Sequence, residues 1–320
     1  MLLGQLLKLK EKNFKAIPIR GIAFDSRKIK KGDIFFAIDG QKTSGIKFIK
    51  EAILKKPALI ISSKKIKYTN HVVPNILVKD VRKCLSEVCS NFYKRKPKNI
   101  IAVTGTNGKS SIADFFYQIL NLNKIPVASI GTLGIHSEKF NKKTNLTSLN
   151  PINLHKSLHT LAKKKINNVI LEASSHGLVQ KRLDNLNIRA GIFSNLSHDH
   201  LDYHKNMEAY FNAKMYLFKN LLKKSSFVIT DEDIKEFKFI KKIAEQKRFK
   251  KFTIGSSSGF IQILNNKYYQ NKQTIKININ SKTFIFTTAL VGYFQIKNLL
   301  MAVLAAHICG LSINKILNKI

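Results

Sequence analysis

The chain has 320 residues, 44% hydrophobic and 23% charged, with 15 glycines and 6 prolines, which excludes a low-complexity, fibrous or wholly disordered polymer and suits two folded domains. Its 56 lysines and arginines against 19 aspartates and glutamates give +37 at pH 7. The lysines are scattered through almost every polar stretch rather than grouped with stacking aromatics, so nucleic acid is not the expected partner, whereas a multiply charged anionic substrate suits the field.

Residues 1–97 alternate short apolar strands with brief helices: Gly21-Ile22-Ala23-Phe24, Asp33 to Ile38, Ala58-Leu59-Ile60-Ile61 and Asn75-Ile76-Leu77-Val78. This reads as a small α/β domain. The basic, proline-bearing stretch Tyr93-Lys94-Arg95-Lys96-Pro97-Lys98 stops its last helix and marks a boundary. Residues 98–320 then show βα repeats. A strand at Ile100-Ile101-Ala102-Val103 and a Gly-rich turn lead into an amphipathic helix over 109–122, and buried strands follow at 127–130, 168–171, 190–193 and 227–230. The pattern predicts a mostly parallel sheet flanked by helices, with a hairpin region over 268–280 and 282–290 and a closing helix over 296–309.

Cys84, Cys89 and Cys309 form no CxxC pair, which points away from a disulfide framework or a cysteine zinc site and toward a reducing cytoplasm. The N-terminal apolar run lacks a basic flank and is too short for a signal peptide. The longest helix-like apolar stretch, residues 299–311, falls short of the roughly 20 residues that span a bilayer, so no membrane insertion is expected.

Three segments carry chemistry. Val103-Thr104-Gly105-Thr106-Asn107-Gly108-Lys109-Ser110-Ser111 lies between a strand and a helix and reads as a phosphate loop: glycines admit phosphate oxygens, Lys109 supplies a charge and the Ser110 hydroxyl can ligate Mg²⁺. It departs from GxxxxGK[ST], because Val103 stands five residues before Gly108. Leu171-Glu172-Ala173-Ser174-Ser175-His176-Gly177 ends a buried strand, where a carboxylate can serve Mg²⁺ or the serines can simply cap a helix. Asn195-Leu196-Ser197-His198-Asp199-His200-Leu201-Asp202-Tyr203-His204 also follows a strand and suggests a metal, with zinc, Mg²⁺ and substrate positioning all open.

Together with Asp25-Ser26-Arg27, Gly32-Asp33-Ile34-Phe35-Phe36-Ala37, Leu146-Thr147-Ser148, the Ser174-to-Leu178 string with Gln180 and Arg182, and Ala213-Lys214, these segments resemble the Mur ligases of the MurE type. The phosphate loop alone is shared with folylpolyglutamate synthases; the Asp-Ser-Arg element and the Ser-Ser-His-Gly-Leu string narrow the resemblance.

The resemblance implies an ATP-dependent ligase of peptidoglycan synthesis that adds the third stem-peptide residue, meso-diaminopimelate or L-lysine, to UDP-MurNAc-L-Ala-D-Glu through an acyl phosphate. It implies a UDP-sugar-binding domain over 1–97 and an ATP-binding domain over 98–320, in a cytoplasmic monomer. Gly105, Thr106, Asn107, Gly108, Lys109, Ser110 and Ser111 would bind ATP. Ser110 and Glu172 would hold one Mg²⁺ and His200 a second, with Lys214 carbamylated and ligating as a carbamate. Lys109, Glu172, His200 and Lys214 would be the catalytic set. Ser26, Gln41, Lys42, Thr43, Thr147, Ser148, Ser174, Gln180 and Arg182 would grip the UDP-sugar peptide. Other readings are another Mur-type ligase, a folylpolyglutamate synthase relative, or a non-catalytic nucleotide or polyanion module.

Leu149 and Asn150 replace the usual Pro-Asp, Ser148 replaces a second Thr, and His198 stands where an Arg is usual. The family normally continues into a third domain carrying the amino-acid pocket. A chain stopping at Ile320 is expected to lack that pocket and to ligate little by itself.

Overall fold

The computed structural model describes residues 1–8, 12–40, 43–66 and 73–319. The chain divides into two compact units, and the division is not a single cut. One unit holds residues 1–95 together with 150–159 and 180–185; the other holds 96–149, 160–179 and 186–320.

The first unit is built on four parallel strands, β1 (Gly21–Ala23), β2 (Asp33–Phe36), β3 (Leu59–Ser62) and β4 (Asn75–Leu77), in that spatial order. Every residue of β2 and β3 is buried, as expected for parallel strands covered on both faces. Alternation sorts them: Ile34, Phe36, Leu59 and Ile61 face helix Val81–Phe92, whereas Phe35 and Ile60 face the side of Ile49 and Ala52. Asp80 starts the Val81–Phe92 helix by accepting the Lys83 N–H at 2.9 Å. The same helix ties in the later segment, since Ser86 donates to the Asp184 carbonyl at 2.7 Å and Ser90 to that of Asn185 at 3.0 Å.

The second unit carries β5 (Asn99–Thr104), β6 (Val127–Gly131), β7 (Gly134–His136), β8 (Asn168–Glu172), β9 (Ile188–Phe193), β10 (Leu222–Asp231), β11 (Lys250–Gly255), β12 (Ile261–Tyr269), β13 (Lys272–Ile279) and β14 (Lys282–Thr288). Among the described residues these form one sheet of order β14-β13-β12-β11-β10-β9-β5-β8-β6-β7, parallel from β12 to β6 and antiparallel at both ends. Helices Lys109–Leu122 and Tyr293–Ile308 bury Ile112, Phe116, Leu300 and Leu304 in its largest apolar cluster. The mixed α/β architecture with mostly parallel sheets is the one expected.

The hairpin region differs from expectation. Three antiparallel strands stand there, and the segment 268–280 is split, because Gln270 and Asn271 both take positive φ (45° and 58°). Asn280 and Ser281 repeat the pattern at 49° and 63°. Two consecutive left-handed residues make the tight loop that matches strand twist, and neither pair contains the glycine that normally signals it. β7 and β11 are likewise absent from the sequence reading.

The scattered charge lies outside. Among the described residues Lys214 is the one Lys or Arg that is buried.

Candidate functional site

Strand order reverses around β5, with β8 and β6 on one side and β9 and β10 on the other. The crevice at the carboxyl ends of such strands is where open α/β sheets bind ligands. Thr104, Glu172 and Phe193 end β5, β8 and β9 there, and the phosphate loop leaves β5 at this point.

The loop is held open by backbone geometry. Gly108 has φ +85°, and a side chain would put its Cβ 2.5 Å from Asn298 Oδ1, so glycine is required on both counts. Segment 194–197, after β9, braces the loop. Asn195 Oδ1 accepts the Asn107 N–H at 2.9 Å, Ser194 Oγ donates to the Asn107 carbonyl at 2.6 Å, and the Ser197 N–H donates to Thr106 Oγ1 at 3.0 Å. These three residues of the Asn195-to-His204 neighbourhood support the loop. Lys109 Nζ donates back to the carbonyls of Gly105 (3.0 Å) and Thr106 (2.7 Å). Burial lowers the Lys109 pKa, with Glu172 pulling it back up.

Thr106 to Ser111 line a cavity of about 280 Å³ with Thr132, Thr147, Glu172, Ser174, Ser175, His200, Tyr210 and Lys214. Glu172 is 3% exposed. One of its oxygens accepts from Ser110 Oγ (2.9 Å) and Thr132 Oγ1 (3.0 Å), and the other from the Thr132 N–H (2.9 Å). No lysine, arginine or histidine of the described residues forms an ion pair with it. A buried carboxylate without a cation is costly unless one is supplied, and a carboxylate with an adjoining hydroxyl is the sparse oxygen set that Mg²⁺ accepts. Gly131 lies against this carboxylate so closely that any Cβ would overlap it.

Lys214 reaches the cavity from helix Met207–Tyr216, whose first turn is capped by Asn206 accepting the Ala209 N–H at 2.8 Å. Its Nζ donates to the Gly105 carbonyl at 2.7 Å and lies 4.1 Å from the centre of the Tyr210 ring. The Tyr210 hydroxyl in turn meets Thr106 Oγ1 at 3.2 Å. Burial, then the charge of Lys109, bring the Lys214 pKa down to about 7, so the amine is substantially neutral at physiological pH.

His200 lines the cavity, with Nε2 3.5 Å from Asp199 and its ring perpendicular to that of His176 at 5.0 Å. His204 is turned to Ser175, Nε2 to Oγ 2.9 Å. His198 is exposed and is not among the cavity residues. No three His, Cys, Asp or Glu side chains converge on a metal position among the described residues.

Thr147 and Ser174 line the cavity, and Ser148 is not among its lining residues. The Ser148 hydroxyl donates to the Glu172 carbonyl (2.8 Å) and accepts the Ser174 N–H (2.9 Å), holding the strand end in place. In the first unit Ser26 is buried and donates to Glu51 at 2.9 Å, beside Arg27 gripping Asp25 with two bonds of 3.0 Å. Thr43 accepts the Gly40 N–H on its carbonyl at 2.9 Å, while Gln41 and Lys42 lie outside the described residues. Arg182 Nη2 donates to Gln180 Oε1 at 2.7 Å.

Thr132 and Tyr210 escaped the sequence reading, as did a second cavity of about 520 Å³ on the other flank of the loop, where Asn107, Gly108 and Ser111 meet Asp231, Lys297 and Asn298. Lys297 Nζ pairs with Asp231 at 2.6 Å and Asp233 at 2.9 Å. Burial raises the Asp231 pKa, with Lys297 opposing it. The available signal was the strand-end position of Asp231, equivalent to that of Glu172.

Residues 103–306 match the Mur ligase middle domain and residues 18–93 the model described as Mur ligase family, catalytic domain. The chain is 37% identical over 312 residues to the UDP-N-acetylmuramoyl-L-alanyl-D-glutamate--2,6-diaminopimelate ligase of Rickettsia montanensis, and 35% identical over 294 residues to that of Brucella melitensis biotype 1. These alignments take in 96% and 92% of this chain but 64% and 60% of the relatives, so the chain spans less than two thirds of their length. A solved ligase of the same name superposes with TM-score 0.87 at 28% identity, over 99% of this chain and 66% of that one. MurF from Thermotoga maritima in complex with ADP shares the fold at TM-score 0.63 and 18% identity, over 95% and 66% of the two chains. With its middle-domain match covering well over half of the residues, the chain belongs to the Mur ligase family.

Proposed function

We propose that this chain forms the UDP-sugar-binding and ATP-binding parts of a cytoplasmic, monomeric ligase that joins 2,6-diaminopimelate to UDP-MurNAc-L-Ala-D-Glu. The observation that carries the reading is the 280 Å³ cavity in which the phosphate loop, the Ser110–Glu172 pair, His200 and a buried Lys214 meet. Similarity to the diaminopimelate ligases over nearly the whole chain supports the substrate class. Among the described residues no helix is long and apolar enough to cross a membrane.

In this reading the loop amides and Lys109 bind the ATP phosphates, and the 520 Å³ cavity takes the nucleoside. The glutamyl carboxylate attacks the γ-phosphorus and ADP leaves; the incoming amine then attacks the acyl carbon of the acyl phosphate, forming the amide bond with loss of a proton and release of inorganic phosphate. Lys109 offsets the repulsion between two anions as they meet. Mg²⁺ held by Ser110 and Glu172, with His200 at a second position, would supply further charge neutralisation. The Lys214 amine, neutral above about pH 7, adds to CO₂ with loss of a proton and so presents a carboxylate where an ammonium would repel a cation. Ser26, the turn at Gln41, Lys42 and Thr43, and Thr147, Ser174, Gln180 and Arg182 hold the diphosphate and carboxylates of the sugar peptide.

Calorimetric titration tests this. A non-hydrolysable ATP analogue with Mg²⁺ is expected to bind saturably and to lose about tenfold or more in affinity in Lys109→Ala, since a charge-assisted phosphate contact is removed. UDP-MurNAc-L-Ala-D-Glu should bind wild type and lose affinity in Arg182→Ala. Unchanged nucleotide affinity in Lys109→Ala defeats the phosphate-loop assignment; sugar-peptide binding indifferent to Arg182→Ala defeats the substrate assignment.

A further inference from the structure

One cavity has no part in this chemistry. A groove of about 1080 Å³ runs between helix Met207–Tyr216 and helix Phe237–Lys247. Its floor is apolar, with Phe211, Met215 and Ile243, and Phe239 stands against Phe211 edge to face at 5.8 Å. Its rim is basic: Lys219, Lys235, Lys238 and Lys242 outnumber Glu208 and Glu236. Lys238 and Lys242 are one helical turn apart and so lie on the same side of their helix, and Lys238 Nζ sits 5.3 Å from the Phe239 ring.

We propose that this groove binds a single-chain anionic amphiphile of the fatty-acid class, with the alkyl chain laid over the Phe211–Phe239 pair and the carboxylate among the rim lysines. The volume is that of a small-molecule site, lined by apolar and aromatic side chains with charged groups at its edge. Met207 at the groove suits a flexible chain, because a thioether repacks around an irregular guest. A partner helix fits less well. Of the large apolar lining residues only Phe239 is exposed, at 51%, so the apolar surface is recessed, whereas helix docking uses an accessible stripe. The excess of lysines selects a negative head group by charge complementarity.

The test is calorimetry on the folded chain with dodecanoate below its micelle-forming concentration, and with acetate and dodecyltrimethylammonium as head-only and opposite-charge probes. One-to-one saturable binding of dodecanoate is expected, with no heat from acetate and at least about tenfold weaker binding of the cation. Phe239→Asp, at an exposed position, and the double change Lys238→Glu with Lys242→Glu should each weaken dodecanoate about tenfold or more. Lys276→Glu with Lys282→Glu, on β13 and β14, should leave it unchanged. Circular dichroism verifies that each variant is folded. Binding at many sites, equal losses in the β13–β14 variant, or an affinity indifferent to Phe239→Asp would show only the pull of a strongly basic surface and overturn the proposal. So would binding to vesicles of anionic lipid without binding to the monomer.

Discussion

Lys214→Met isolates the electrostatics of the buried amine. The side chain is 1% exposed, and its pKa falls from 10.5 to about 7. That fall corresponds to a burden of about 5 kcal/mol once the ammonium is carried inside the folded protein. The sign follows from linkage: the unfolded chain binds the proton more readily, so folding stability falls as pH drops from about 10.5 toward 7, then levels off. Integrating between those limits gives a burden of about 4 kcal/mol near pH 7 and about 2 kcal/mol near pH 9. Wild type should therefore gain about 2 kcal/mol over Lys214→Met across that interval. The pH-independent terms, including the lost bond to the Gly105 carbonyl, cancel in this difference. Urea unfolding of both proteins in CO₂-free buffer, read by circular dichroism, measures it. A wild-type-minus-variant difference that stays flat between the two pH values would refute the argument, since it would mean that Nζ is solvated in the folded state.

Two further perturbations probe the supports around the cavity. Ser148→Ala removes the hydroxyl that bonds both the Glu172 carbonyl and the Ser174 N–H, so stability should fall by about 1–3 kcal/mol, seen as a lower thermal midpoint. A neutral outcome would place water in the role assigned to the hydroxyl. Lys297→Met leaves Asp231, with its side chain 3% exposed, without its cation; a loss of about 3–5 kcal/mol near neutral pH is expected. Because burial already raises the Asp231 pKa, the loss should shrink as acid protonates the carboxyl, and a loss that grows in acid would contradict the assigned burial.

The strand, Gly-rich loop and helix over 99–122 were legible because their signals are local: an apolar strand, two glycines, Lys109 and a helix arrive in order. Glu172 was legible for the related reason that a carboxylate ending a buried run must sit at a strand end. Lys214 carried no such signal. It is one of 56 basic residues, on a helix whose sequence, Met207 to Tyr216, shows no clean polar face, and only the family resemblance singled it out. Thr132 and Tyr210 belong to no motif, since a hydroxyl after a strand and a tyrosine on a helix are ordinary residues until the fold brings them to Glu172 and Thr106. The bond from Ser86 to the Asp184 carbonyl joins positions 98 residues apart, and local periodicity contains nothing about such a pairing. The β12–β13 turn was missed for an opposite reason: the local signal exists, but it is written in Gln270 and Asn271 rather than in glycine.

The charges around the loop explain why a chain so rich in lysine buries one of them here. Lys109 and Lys214 both reach the Gly105 carbonyl, at 3.0 Å and 2.7 Å, and each is held by burial below its ordinary pKa, Lys109 further lowering Lys214. Two ammonium groups at one carbonyl form an unfavourable pair that favours either loss of a proton or arrival of an anion. Under the proposed function both happen. Deprotonation removes the repulsion between Lys214 and Lys109, and carbamylation of the neutral amine then leaves Lys214 at −1, so that it attracts Lys109, while the phosphates of ATP come within reach of the Lys109 that remains. A fixed arginine could not make that change, because a guanidinium neither loses its proton near neutral pH nor adds CO₂ readily. Under that reading a lysine suits this position where an arginine would not, and the Tyr210 ring 4.1 Å away is placed to offset the charge of its ammonium form.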